Sequence, residues 1–105
     1  MRCMLTVRNK DSYYTLPIVK RMSIFSAKIA LIEKNKTKGR CKDIYFDVDF
    51  KGFFSVWDLN TNEEAAELMC EMPGREFMDM DLQPIMDLDI AVKQIKMYYE
   101  IGMKG

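Results

Sequence analysis

The feature that most constrains the fold of this chain is a change in hydrophobic periodicity. A two-residue repeat, typical of a strand, is followed by a repeat of three to four residues, typical of a helix. Residues 2–8 (RCMLTVR) alternate between apolar and other side chains, as a half-buried strand does. After Pro17, apolar residues recur every three or four positions, which predicts a helix with one apolar stripe. The stripe comprises Ile18, Met22, Phe25, Ile29 and Ile32. Gly39, after the lysine-rich run KNKTKG, is the expected end of this helix.

A hairpin, a second helix and a fourth strand are predicted next. The alternating segments 43–50 (DIYFDVDF) and 53–59 (FFSVWDL) are joined by a short turn. The second helix begins in NTNEEAAELMCEM, where Thr61 and Glu64 have the spacing of a capping box and Asn60 or Asn62 are alternative caps. The expected inward stripe of this helix is Ala65, Leu68, Met69 and Met72. Pro73-Gly74 ends it, and a fourth strand follows at about 76–82.

The resulting order, β-α-β-β-α-β, predicts an α+β fold of the ferredoxin-like type. A further helix is expected at about 87–101, with a stripe of Leu88, Val92, Ile95 and Tyr99. The length of 105 residues suits one domain over 1–105, with a core at about 1–85. No repeat or linker interrupts it.

In this topology both helices pack on one face of the sheet, and strand alternation assigns each side chain to a face. The expected helix-covered face comprises Cys3, Leu5, Val7, Ile44, Phe46, Val48, Phe54, Val56, Met78, Met80 and Leu82. The expected open face comprises Met4, Thr6, Tyr45, Asp47, Phe53, Ser55, Trp57, Phe77, Asp79 and Asp81. A sheet face in water is mainly polar, whereas this one contains five large apolar groups. We therefore expect a second copy of the chain to cover it.

Composition and charge exclude several classes of protein. No run of about 18 apolar residues exists and the N-terminus does not resemble a signal peptide, so neither a membrane partner nor export is expected. Three widely spaced cysteines without a CxxC predict neither a disulfide framework nor a zinc site, and a cytoplasmic location follows. Residues 1–42 carry eleven basic and two acidic groups, and residues 43–105 carry five and fourteen. Without a nucleic-acid motif, this asymmetry favours complementary electrostatics over nucleic-acid binding.

The segment from Lys38 to Ile85 resembles the muconolactone isomerase family. The resemblance is carried by SVWDL (55–59), by the acidic start of the second helix and by FMDMDL (77–82) after Pro73. It implies a dimeric α+β barrel, in which two ferredoxin-like sheets face each other and can assemble into larger rings. It also implies a proton shift within a small lactone or organic acid, without cofactor or metal.

Candidate site residues follow from the predicted open face. The chain has no histidine, so a proton shift would need another base, and Asp79 and Asp47 are the candidate catalytic carboxylates. Tyr45, Ser55, Trp57 and Asp81 are the candidate ligand-binding residues. The alternative for the aspartates is a solvated strand edge, and for Ser55 and Trp57 it is interface packing. The alternative function is a non-catalytic barrel that binds a small ligand or has a structural role.

Overall fold

A computed structural model describes residues 1–104 of the chain and, up to residue 103, their side chains. The elements are β1 (Arg2–Asn9), α1 (Asp11–Tyr14), α2 (Ile18–Thr37), β2 (Cys41–Phe46), β3 (Gly52–Asp58), α3 (Asn62–Glu71), β4 (Met78–Pro84) and α4 (Leu88–Lys104). A short 3-10 turn, Arg75–Phe77, precedes β4. The predicted succession of strands and helices is confirmed, and the structure adds the single helical turn α1 between β1 and α2.

The four strands form one antiparallel sheet in the order β2-β3-β1-β4. Side chains of both α2 and α3, among them Ile32, Leu68 and Met72, join the same core cluster as Leu5 of the central strand β1. Both helices therefore cover one face of the sheet. The architecture is a mixed α+β fold with a four-stranded antiparallel sheet, compatible with the ferredoxin-like arrangement.

The ends of the two covering helices follow their local sequence. Thr61 is the N-cap of α3, because its Oγ1 accepts a hydrogen bond from the Glu64 backbone N–H at 3.1 Å. The predicted cap at Thr61 is therefore confirmed, whereas the Glu64 carboxylate accepts from the backbone N–H of the preceding residue, Asn60, at 2.8 Å and not from that of Thr61 as in a strict capping box. Gly39, with φ of 78°, follows the last turn of α2, as its position predicted.

The prediction of which β3 side chains face the helices was wrong. Leu5 and Val7 of β1 lie opposite Ser55 and Phe53, so Phe53, Ser55 and Trp57 face the helices. Phe54 and Val56 therefore lie on the open face with Met4, Thr6 and Tyr45. The reason is side-chain volume: Trp57 is fully buried and fills the core beneath the helices. The predicted core position of Val48 was also wrong, because β2 ends at Phe46 and Val48 lies exposed in the turn.

The predicted inward stripe of α2 was wrong over most of its length. Ile18, Met22 and Phe25 are at least half exposed. The residues that α2 buries are Ile24, Lys28, Ile32 and Asn35. The helix is thus rotated from the expected orientation so that a lysine lies among apolar neighbours, and this rotation creates the site described below.

The last helix extends the molecule. The chain measures 61 × 30 × 23 Å with a radius of gyration of 17.4 Å, whereas a compact domain of this length has about 13 Å. The apolar stripe predicted for α4 remains exposed in the single chain, including Leu88, Ile95 and Tyr99. No helix within residues 1–104 is long and apolar enough to cross a membrane.

Candidate functional site

A cavity of about 320 Å³ lies between α2 and the end of the sheet where β2 and β3 meet. Its wall comprises Asn9, Tyr13, Phe25, Lys28, Ile29, Ile32, Phe46, Phe50, Gly52 and Phe53. The volume is at the lower end of the range of small-molecule pockets, and most of the wall is aliphatic or aromatic. A single cationic group enters this wall, the side chain of Lys28.

Lys28 is buried, with 5% of its surface exposed. It lies one helical turn from Ile24 and one from Ile32, which are also buried, so the helix carries it into the core side of α2. Among the described residues, no side chain forms a salt bridge or hydrogen bond with its ammonium group. Burial lowers the pKa of Lys28 to about 8, because desolvation disfavours the charged form.

The aromatic ring of Tyr13 lies beside the ammonium group of Lys28. The Nζ atom lies 5.3 Å from the ring centroid, within the range of a cation–π contact. Tyr13 is held by the helical turn α1, and its hydroxyl donates a hydrogen bond to the backbone oxygen of Arg21 at 3.2 Å. Tyr14 packs edge-to-face against it, with centroids 5.3 Å apart. Burial raises the pKa of Tyr13, so its hydroxyl stays neutral at physiological pH.

Three phenylalanines give the cavity an aromatic surface, Phe25 from α2 and Phe46 and Phe53 from the sheet. The rings of Phe46 and Phe53 lie 5.4 Å apart, and those of Phe25 and Phe46 lie 6.2 Å apart. Gly52 allows β3 to approach β1 here, because a Cβ at this position would lie 2.2 Å from the Val7 backbone oxygen. The cavity therefore combines an aromatic surface suited to a flat apolar ligand with one cation.

The predicted catalytic carboxylates, Asp47 and Asp79, do not contribute to the wall of this cavity. Asp47 accepts a hydrogen bond from Arg8 Nη1 at 2.7 Å, so its charge is paired. The side chain of Asp79 is 79% exposed and lies 4.0 Å from the Lys10 ammonium.

The predicted ligand-binding residues are divided between the two faces of the sheet. Tyr45 lies on the open face, where its ring stacks on Phe54 with centroids 5.4 Å apart. Asp81 is exposed on β4, at the opposite edge of the sheet from Tyr45. Ser55 and Trp57 are fully buried on the helix-covered face, where the indole Nε1–H donates to Ser55 Oγ at 2.7 Å. The structure therefore does not bring the six predicted residues into one site.

Lys28 is the residue that sequence reasoning missed. A hydrophobic pattern classes lysine as polar and assigns it to the solvent side of a helix. The available signal was the spacing of Ile24, Lys28 and Ile32, which places the lysine midway between two isoleucines on one face.

Comparison with known proteins assigns neither a family nor a function to this chain. Neither a scan against protein-family models nor a search of curated proteins finds a match for this chain. The functional argument therefore rests on the geometry of the Lys28 cavity.

Proposed function

We propose that this protein binds a small, mainly apolar organic acid in the Lys28 cavity. The observation that carries the proposal is a lysine, 5% exposed as a residue, that lines an apolar cavity and whose ammonium group has no anionic partner among the described residues. An unpaired buried charge is costly, and a carboxylate in the cavity would supply the missing partner.

The shape of the wall supports a flat or unsaturated ligand. Phe46 and Phe53 offer ring surfaces at one side, and Ile29 and Ile32 offer aliphatic contacts at the other. A ligand carboxylate directed at Lys28 would leave the apolar part of the ligand against these rings. This division between one polar anchor and an apolar body is typical of small-molecule sites.

Binding should depend on pH in a defined direction. The free protein loses the Lys28 proton as the pH rises through about 8, and a carboxylate ligand binds the protonated form. Affinity should therefore be nearly constant from pH 6 to 7 and fall above pH 8. Ligand binding near pH 8 should also be accompanied by proton uptake, since the bound anion raises the pKa of the lysine.

Calorimetric titration with benzoate and hexanoate, with benzamide as a neutral analogue, tests the proposal. We expect the acids to bind, benzamide to bind at least about ten-fold more weakly, and Lys28→Met to lose this preference. Lys20→Met, at an exposed position on the same helix, is the matched control and should bind as the unaltered protein does. Equal affinities for benzoate in Lys28→Met and Lys20→Met would overturn the proposal, as would the absence of acid binding.

The proton shift implied by the resemblance is the second candidate function. The observation that favours it is again Lys28, of which about one-tenth is neutral at pH 7 and able to accept a proton. Asp79 and Asp47 are the other candidate bases. An isomerisation assay with muconolactone would compare Lys28→Met, Asp79→Asn and Asp47→Asn. Loss of turnover in one variant identifies the base, and the absence of turnover in the unaltered protein rejects this candidate.

We also propose that two copies associate through the open face of the sheet as a dimeric α+β barrel. Tyr45, Phe54, Val56 and Met4 form a continuous apolar centre on this face. The charges around it pair with one another: Arg8 with Asp47 and Asp49, Arg2 and Lys42 with Asp58, and Lys10 with Asp79. These pairs offset much of the charge on the rim, and Asp81 remains on the same face as a carboxylate without an ion pair among the described residues. An apolar centre with a polar rim fits the usual anatomy of an interface.

Sedimentation at micromolar concentration tests the association. We expect a dimer or a larger ring for the unaltered chain and a monomer for Phe54→Lys, with Val48→Lys as a control at an exposed turn position. A monomer of 12.4 kDa for the unaltered chain would contradict the proposal. The three cysteines are free thiols, which fits the cytoplasmic location that we propose.

A further inference from the structure

We propose that the Lys28 amine also forms a reversible imine with small apolar aldehydes or ketones that enter the same cavity. This inference adds a second ligand class, carbonyl compounds, to the proposed function. It rests on that function only because both use the same cavity. Binding of an acid uses the ammonium form of Lys28, whereas imine formation uses the neutral amine. The two can therefore succeed or fail separately.

The first requirement of an imine is an amine that a carbonyl carbon can reach. Lys28 contributes to the cavity wall, and the cavity is open on one side, so a small ligand can enter. The neighbouring Tyr13 hydroxyl donates to the Arg21 backbone oxygen and does not occupy the amine. No carboxylate among the described residues holds Lys28 in its protonated form. The amine is thus enclosed and free to react.

The second requirement is a sufficient fraction of neutral amine. Burial lowers the pKa of Lys28 to about 8, so about one-tenth of it is neutral at pH 7. An exposed lysine with a pKa of about 10.4 has less than about one-thousandth in this form. Desolvation of a lysine in an apolar pocket is an established way to activate it as a nucleophile.

The reaction balances without an oxidant or reductant. The nitrogen lone pair attacks the carbonyl carbon, a C–N bond forms, and the carbonyl oxygen takes up a proton to give a carbinolamine. The nitrogen has by then lost its first proton. A second proton then reaches the carbinolamine hydroxyl, the nitrogen lone pair expels it as water while the C–O bond breaks, and loss of the remaining nitrogen proton leaves a neutral C=N bond, so the two protons lost from nitrogen balance the two carried away in the water. The phenylalanine side chains of the cavity favour an aromatic carbonyl compound.

Reductive trapping of the full chain tests the inference. The protein is incubated at pH 7.5 with benzaldehyde and sodium cyanoborohydride, which converts an imine into a stable benzylamine. Peptide mass spectrometry then compares Lys28 with the other ten lysines of the chain, which serve as internal controls. We expect Lys28 to be labelled at least about ten-fold faster than the exposed lysines, in line with its larger neutral fraction.

Two variants and one competitor sharpen the result. Lys28→Met, which keeps an unbranched apolar side chain of similar length, should lose the fast label, and Lys20→Met should keep it. Benzoate should protect Lys28 from labelling. Labelling spread evenly over the lysines, or fast labelling that persists in Lys28→Met, would overturn the imine. Benzoate binding without fast labelling rejects the imine alone, and fast labelling without benzoate binding rejects the organic-acid proposal alone.

Discussion

The ammonium nitrogen of Lys28 lies 5.3 Å from the centroid of the Tyr13 ring, in a cavity wall that offers it no anion. The contact connects α2 with the short turn α1. A cation–π contact offsets only part of the cost of desolvating a charge. The charge of Lys28 therefore lowers the stability of the folded protein, as is common where binding or catalysis requires an activated group.

Replacing Lys28 by methionine should make the free protein more stable at neutral pH. The pKa of about 8 in the folded protein lies below the unfolded value of about 10.4, so the unfolded chain binds more protons between these limits. Stability of the unaltered protein therefore rises with pH across this window, and the full penalty applies below about pH 8. The difference between the pKa values corresponds to at most about 3 kcal/mol, and solvent at the cavity mouth reduces the expected gain to about 1–2 kcal/mol.

Urea unfolding at pH 6.5, 8 and 10 checks this prediction. The gain of Lys28→Met over the unaltered protein should be largest at pH 6.5 and shrink towards pH 10. Lys20→Met should show neither a gain nor a pH dependence of this kind, because its side chain is exposed. A destabilised Lys28→Met variant at pH 6.5 would show that the ammonium has a stabilising partner.

Ser55 should contribute to stability through its hydrogen bond with Trp57. Both residues are fully buried, and the indole N–H donates to Ser55 Oγ at 2.7 Å. Ser55→Ala leaves this buried donor without a partner, which should lower the free energy of unfolding by about 1–3 kcal/mol. Trp57 is the only tryptophan, so its fluorescence during urea unfolding reports on the affected contact. Ser23→Ala, at an exposed position on α2, should leave stability nearly unchanged.

This buried serine also explains why the sequence did not predict which side chains of β3 face the helices. Two alternating sets are available in FFSVWDL, and each includes one polar residue. The first set is Phe54, Val56 and Asp58, and the second is Phe53, Ser55, Trp57 and Leu59. The structure buries the second set because Trp57 contributes the larger volume and satisfies the serine hydroxyl itself. A hydrophobicity pattern considers each residue separately, so it does not take account of the hydrogen bond from Trp57 to Ser55.

The orientation of α2 was missed for a related reason. Asn35 enters the buried face because its side-chain amide donates to the Leu31 backbone oxygen at 2.8 Å, and Lys28 enters it through its apolar stem. By contrast, the order of elements, the cap at Thr61 and the stop at Gly39 were predictable, because local spacing determines them. The Lys28 cavity depends on how α2 is rotated against the sheet, so it required the structure.

Gly74 should tolerate alanine less well than Gly39 does. Both have positive φ, 71° and 78°, and an alanine in this conformation costs about 1–2 kcal/mol. A Cβ at Gly74 would also lie 2.6 Å from Ile24 Cγ2, whereas nothing lies within 4 Å of a Cβ at Gly39. We expect Gly74→Ala to be about 1–3 kcal/mol more destabilising than Gly39→Ala in thermal or urea unfolding. In an Ile24→Ala background this excess should disappear, and an excess that persists there would locate the strain elsewhere.

The three cysteines should differ in their reaction with a thiol reagent. Cys3 and Cys41 are buried, and burial raises the pKa of the Cys41 thiol, which keeps it in its unreactive protonated form. Cys70 is exposed on α3, so its thiol is accessible. Titration with Ellman's reagent at pH 8 should therefore detect one thiol per chain in the native protein and three in urea. Cys70→Ser should remove the native signal, and a second reactive thiol in that variant would mean that the sheet or α2 opens enough to expose Cys3 or Cys41.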